Sequence, residues 1–239
     1  MSRSWSRAVV LLAALVACAG TARLGLWQLD RAQQKLRLQA ELDARQQMPP
    51  LGAAELARRG EEAAAQWHRH AVLEGRWLHE RTVYLDNRQM AARVGFVILT
   101  PLQLDDGSAV LVERGWVPRD FQDRTRLTPP PPEPGRIRVE GRITDGPSRV
   151  FDFDASQRGT IRQNVDLAAF GAETGLPLRP VAIRQTGPQP SPLQRDWPQP
   201  ATGVDKHHGY AFQWFALSAL ILCLYVWFQV LRPRRRAAS

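Results

Sequence analysis

The sequence predicts a membrane protein in which two transmembrane α-helices flank one antiparallel β-rich extracytoplasmic domain with short helices. Three observations predict it. An apolar run stands near each end of the chain (Ala8–Leu29 and Tyr210–Leu231), arginines cluster in both tails, and the stretch between consists of short β-branched segments separated by turn residues. That middle stretch, roughly 170 residues, is long enough to bury a core of its own.

The first run is apolar except for Thr21, Arg23 and Gln28. Its 22 residues extend about 33 Å as a helix, enough for a hydrocarbon core of about 30 Å. Arg23 is its weak point, because a mid-bilayer arginine costs about 2.5–3.5 kcal/mol on insertion scales. It lies about two turns from the far end, so its head can snorkel outward beside Trp27, an interface anchor. The second run carries no charge, and aromatics mark both its ends: Tyr210 and Trp214, then Tyr225, Trp227 and Phe228. Arg3 and Arg7 precede the first span, and Arg232, Arg234, Arg235 and Arg236 follow the second. The positive-inside rule therefore places both termini in the cytoplasm and the central domain outside it. The resulting order is a cytoplasmic tail (1–7), first span (8–29), helical connector (30–68), β-rich domain (69–186), Pro-rich tether (187–206), second span (207–231) and basic cytoplasmic tail (232–239).

The net charge of +9 is not a nucleic-acid signal. Six of the arginines sit in the two tails, leaving the rest at about +3, too little for an electrostatic footprint on a polyanion. Cys18 and Cys223 are the only cysteines and both lie in the apolar runs. That excludes a disulfide framework and a CxxC pair for thiol redox or copper. Leu15-Val16-Ala17-Cys18 has the form of a lipoprotein cleavage box, but the apolar stretch continues past Cys18, and a second span makes a lipid anchor redundant.

Arg31–Arg45 contains neither Gly nor Pro and extends the first helix until Met48-Pro49-Pro50 stops it. Ala53–Ala65, rich in alanine and charge, reads as a short surface helix. The pattern then turns to strands: His70–Trp77, Thr82–Leu85, Gly95–Leu102, Ala109–Val112, Arg136–Ile143 and Pro180–Gln185. Asp105-Asp106-Gly107-Ser108 joins two of these as a hairpin. Pro129–Pro132 makes a stiff polyproline loop, Val165–Thr174 a short helix, and Gly187–Pro200 an extended tether.

No nucleophile elbow, HExxH or phosphate loop occurs, so a membrane-anchored hydrolase is disfavoured. His68, His70 and His79 would make a loose metal site if one strand face carried them; their ordinary reading is surface histidine beside Trp67. His207 and His208 stand just ahead of the second span. With a helix beginning near Asp205, His207, Tyr210 and Trp214 fall at i, i+3 and i+7. An imidazole flanked by aromatics at membrane depth suits axial ligation of a haem iron. The alternative is an interfacial anchor with no ligand.

Leu24–Arg31, Leu85–Arg88, Leu111–Pro118 and His207–Trp214 are four blocks that in this order resemble the Surfeit locus family of cytochrome c oxidase assembly factors. Leu24-Gly25-Leu26-Trp27-Gln28-Leu29-Asp30-Arg31, with Lys35, is similar to the family's LGxWQxxR signature. Leu85-Asp86-Asn87-Arg88 with Gly95-Phe96 and Thr100-Pro101 resembles its central block, and Leu111–Pro118 its LVNRGWVP stretch, with Glu113 where asparagine is common. His207-His208-Gly209-Tyr210-Ala211-Phe212-Gln213-Trp214 resembles its HxxYAxxW block.

The resemblance implies a non-enzymatic biogenesis factor for a haem-copper oxidase that binds or positions haem a for the catalytic subunit. Its partners would be that subunit, the assembly or haem-synthesis machinery, and the lipid bilayer. Its iron ligand would be His207, with His208 one residue away as the alternative. The absence of a long Arg/Ser-rich presequence favours a bacterial inner membrane, with a periplasmic central domain. Within that frame Gly25 allows close helix packing, Gln28 and Arg31 present donors near His207, and Arg31 or Arg114 pairs with a haem propionate. Headgroup contact or a structural ion pair is the plainer role for either arginine, and Trp116 is a core residue. The competing function is a membrane-tethered scaffold for the assembling subunit that binds no cofactor.

Two outcomes test the topology. A reporter fused after Ser239 should act as cytoplasmic and one inserted within Pro129–Pro132 as extracytoplasmic; a cytoplasmic signal from the loop refutes the orientation. Cys18→Ser should leave membrane attachment and apparent mass unchanged, whereas loss of a fatty acyl label would restore the lipoprotein reading.

Overall fold

The computed structural model describes residues 3–120, 122–123, 125–150, 158–187, 193–198 and 203–232. They form two compact units, residues 1–41 with 200–239, and residues 42–199. The arginine cluster at 234–236 lies outside the described residues.

In the first unit, helix α1 (Arg3–Gln47) runs without a break for 45 residues, about 68 Å at helical rise. It ends one residue before Met48, where Pro49 and Pro50 deny the next turn its N–H donors. Helix α4 (Val204–Tyr225) passes into a π-helical stretch, Val226–Leu231. Both helices are long and apolar enough to cross a membrane. The less exposed positions of α1 recur as Ala14, Cys18, Thr21, Gly25, Gln28 and Ala32; those of α4 as Val204, His207, Ala211, Trp214, Ser218, Ile221 and Tyr225. Steps of four and three residues are the spacing of a two-helix seam. The contacts Cys18–Ser218 and Gln28–His207 make the pairing antiparallel.

The second unit is a seven-stranded sheet: β1 (His70–Trp77), β2 (Val83–Met90), β3 (Arg93–Leu104), β4 (Ala109–Pro118), β5 (Ile137–Thr144), β6 (Ile161–Arg162) and β7 (Leu178–Gln185). Their order is β1-β5-β7-β4-β3-β2-β6, and β1 also pairs with β3. That last pairing closes five strands into a small barrel. It is possible because β3, twelve residues long, gives its first half to β2 and its end, Leu102–Leu104, to Gly75–Trp77 of β1. At the crossing, a Cβ on Gly75 would run into the carbonyl oxygen of Gln103. The hairpin between β3 and β4 turns through Asp105–Ser108, with Gly107 at φ +80°. Leu73, Leu102, Val110, Val112, Val139 and Ile143 fill the barrel interior, and none is measurably exposed.

Four expectations need correction. The sheet is not wholly antiparallel, since β4–β7 and β2–β6 run parallel; helix α3 (Leu167–Thr174), capped by Asp166 and ended by Gly175 at φ +70°, supplies the crossover between β6 and β7. Ala53–Ala65 is not one surface helix. It breaks into a 3-10 turn (Ala53–Glu55) and a single α turn, α2 (Gly60–Ala63), because Leu56, Ala57 and Ala63 are buried and the Gln66 side chain bonds the Glu55 carbonyl and the Ala57 amide. His68 and His79 share no strand face with His70: His68 precedes β1 at φ +71°, and His79 opens a 3-10 turn after it. The stretch after β7 is not a free tether over its described part. Gln194 exchanges two backbone bonds with Trp116, Leu193 is buried, and Trp197 Nε1 donates to the Gln185 carbonyl. Apolar anchors among the prolines hold this strand of chain against the end of β4 that its pairing with β7, which stops at Glu113, leaves open. Residues 188–192 and 199–202 lie outside the described residues.

The hairpin turn is also an electrostatic joint. Asp106 is held below the usual carboxylate range by the hydroxyl and amide of Ser108, then by Arg179 and Arg58. A carboxyl whose folded pKa is depressed stabilises the fold above its unfolded value, and the contribution is lost as pH falls through the folded value. Thermal unfolding of the detergent-solubilised protein, followed by near-UV circular dichroism, should therefore show stability falling below about pH 4. Asp106→Asn should flatten that acid limb; an unchanged limb would show that the joint is neutral to folding.

Candidate functional site

Of the residues singled out from sequence, Gln28, Arg31, His207, Tyr210 and Trp214 belong to the helix pair, and Arg114 to the β domain. The two groups are described separately.

In the helix pair, the close approach comes first. A Cβ on Gly25 would lie 2.8 Å from the Phe215 ring, so the glycine makes room for that ring where α1 and α4 meet. Ala32 is fully buried and Ala211 nearly so, and they keep the axes close on either side. Between these small residues lies the one long polar contact of the seam among the described residues: His207 Nδ1 stands 2.7 Å from Gln28 Oε1. Two turns or more further in, the Cys18 thiol and Ser218 hydroxyl are 3.0 Å apart and Ser218 Oγ donates to the Cys18 carbonyl. His208 is exposed, one helical step away from the seam.

Trp214 shares the seam with His207, whereas Tyr210 lies on its flank and is half exposed. Arg31 is exposed; its guanidinium sits 5.6 Å over the Trp27 ring and donates to Gln34 Oε1. The charges acting most on His207 are Lys35 and Arg31. Lys35 was missed as a site residue, although its place one turn beyond Arg31 is a helix-face signal. Its Nζ lies 3.3 Å from where a Cβ on Gly203 would stand. On the face of α1 turned away from α4, Arg23, Leu24, Leu26, Trp27 and Asp30 line a shallow concavity of about 370 Å³. It is not at His207.

Arg114 has another setting. It is the extra residue of a β-bulge, since Ile98 faces Gly115 and Leu99 faces Glu113. Buried to 1% exposure, it pairs with Glu133 at 2.8 Å and stacks 4.4 Å over Trp77, whose Nε1 donates to the same carboxylate. Its surroundings are those of a structural ion pair that docks the proline loop. The block residues around it are likewise internal. Trp116, 1% exposed, donates its Nε1 to the Arg88 carbonyl; Arg88 reaches Asp86, Ser148 and Gln163 carbonyls; Glu113, fully buried, pairs with Arg184 and accepts from the Ser148 amide. Sequence reading placed Trp116 in the core but assigned no role to Arg88 or Glu113. Among the described residues no group of three His, Cys, Asp or Glu side chains is arranged to hold a metal.

The fold and this seam define a class: a β domain carried between two apolar helices that meet through an imidazole–amide contact. The chain belongs to the SURF1 family, which it matches over residues 15–219. It is 26% identical over 216 residues to a SURF1-like protein of Monosiga brevicollis, covering 85% of this chain and 81% of that one. A SURF1-like protein of Rickettsia conorii is 22% identical over 211 residues, 85% and 84% of the two chains. The cytochrome oxidase assembly protein SHY1 of Saccharomyces cerevisiae is 29% identical over 96 residues, 39% of this chain and 24% of that one.

Proposed function

We propose that this protein is a non-enzymatic cytochrome oxidase assembly factor that binds or positions haem a for the catalytic subunit of a haem-copper oxidase. Membership of the SURF1 family and the name of the yeast relative support the assembly role. The haem reading rests on one observation, the 2.7 Å contact that seats His207 against Gln28 in the helix seam.

The residues present fit the group. His207 is a half-buried imidazole with Nδ1 engaged, so Nε2 is the nitrogen left to hold an iron. Trp214 supplies an aromatic wall on the same side, and Arg31 and Lys35 supply positive charge suited to two anionic propionates. When bound, the haem is cargo, and the chain's part is to hold it in a form another protein can accept. We assign the site to the outer end of two membrane spans, in a bacterial inner membrane, with both tails cytoplasmic and the β domain periplasmic. The two long apolar helices and the arginines flanking them support that placement.

The scaffold alternative draws on the same contact, because an imidazole–amide bond also fastens two helices. Spectra separate the two readings. Protein purified in detergent from cells that make haem a should show a Soret band, and His207→Ala should lose most of it while remaining in the membrane. His208→Ala should lose much less, since one helical step turns it about 100° from the seam. Colourless wild-type protein that still co-purifies with the oxidase subunit would favour the scaffold, and normal haem in both single variants would remove the ligand.

A further inference from the structure

We propose that Gln28 is a positioning residue for His207. Its amide oxygen takes the Nδ1 proton, fixing the imidazole in the Nδ1–H tautomer and presenting the Nε2 lone pair outward to a metal. This rests on His207 being the haem ligand and adds what prepares it.

The geometry carries the inference. At 2.7 Å, with the amide carbonyl oxygen as the facing atom, the bond requires a proton on Nδ1. An isolated neutral imidazole favours the proton on Nε2, which would block the nitrogen the metal needs. A partner for Nδ1 is therefore a requirement of the site. Gln28 meets it from a half-buried position, where a neutral hydrogen bond is stronger than in water. The charges that act most on the ring are those of Lys35 and Arg31. Positive groups cannot accept the Nδ1 proton.

The rest of the seam encloses this contact. Gly25, one turn earlier, sets the helices in contact through Phe215, and Ala211, one turn after His207, is nearly fully buried. Ala32 closes the other side. The amide is enclosed between small residues on both helices, which restricts the swing of both side chains. His208 is exposed and one helical step off the seam, so the same device separates the two histidines. Outer partners of this kind raise the basicity of a ligating imidazole and are one of the levers on haem potential.

The test uses the full-length protein and three variants. In haem-free protein carrying ¹⁵N-histidine, the His207 shifts should report the proton on Nδ1, and Gln28→Leu should move it toward Nε2. In haem-loaded protein, Gln28→Leu should weaken haem retention by about 10–100-fold and raise the midpoint potential. Gln28→Glu, which offers a stronger acceptor of the same shape, should lower the potential. A merely structural glutamine would leave the potential unmoved in both. An Nε2 proton in wild-type His207, or potentials that do not shift in opposite directions, overturns the inference. His207→Ala in the same series judges the reading beneath it: retained haem there removes the ligand, whereas lost haem with unmoved Gln28 variants removes only the positioning role.

Discussion

The contact between Gly25 and the Phe215 ring is the constraint on which the helix pair depends. Apolar helices in a lipid environment gain nothing from burying leucine against leucine, because the lipid is as apolar as the side chain. What draws them together is close packing and polar bonding that lipid cannot offer. Here the missing side chain at Gly25 lets the ring sit where a Cβ would be, and the contacts that follow are set by that distance. A methyl group at this position would have to displace the Phe215 ring from the seam, one helical turn from the Gln28 contact with Nδ1.

The β domain solves a different problem, that of burying charge. Arg88, Glu113, Arg114, Arg162 and Arg179 are each less than a tenth exposed, an unusual load for one small barrel. Each is met by an opposite charge or by carbonyls: Glu113 by Arg184, Arg114 by Glu133, Arg162 by Glu173, Arg179 by Asp106, and Arg88 by three backbone oxygens. Such pairs repay their desolvation only if the geometry is kept, so they add specificity more than stability. Glu133 is the clearest case. One of its oxygens receives both Arg114 and Trp77, which ties the proline loop to the barrel wall. The bulge that frees Arg114 from strand alternation makes this possible.

What the sequence disclosed divides along these two problems. The α1 helix, its stop at Met48-Pro49-Pro50, the Asp-Gly hairpin and α3 were legible because each has a local cause: helical composition, proline, a turn pair, a cap. The barrel closure was not, since it depends on β3 being shared by two partners, and nothing local marks a strand that changes neighbours halfway. The parallel β4–β7 pair escaped for the same reason. Ala53–Ala65 misled because alanine signals helix wherever it stands, while here Ala57 and Ala63 are core residues. At the site, motif order and helix periodicity pointed to Gln28 and Arg31 as donors near His207; Gln28 does face His207, but with its acceptor oxygen, and Arg31 turns to Trp27 and Gln34. The identity of the Nδ1 partner was not legible, because it needs a register between two helices some 180 residues apart in the chain.

The four matched blocks accordingly do two kinds of work. Those around Gly25 and His207 bring a nitrogen, an amide and two cations to one level of the helix pair, and those around Arg88 and Trp116 hold the barrel. In the second pair the fit of shapes is what matters: Gly95 lies against the Trp116 ring so tightly that a Cβ would collide with it, and the ring's Nε1 is spent on the Arg88 carbonyl. A residue whose ring face and donor are both consumed by the fold has nothing left to offer a ligand. His207 differs: it is half-buried, and its ring bonds a side chain of the facing helix, the Gln28 amide oxygen, so its setting is made by the seam and not by the barrel.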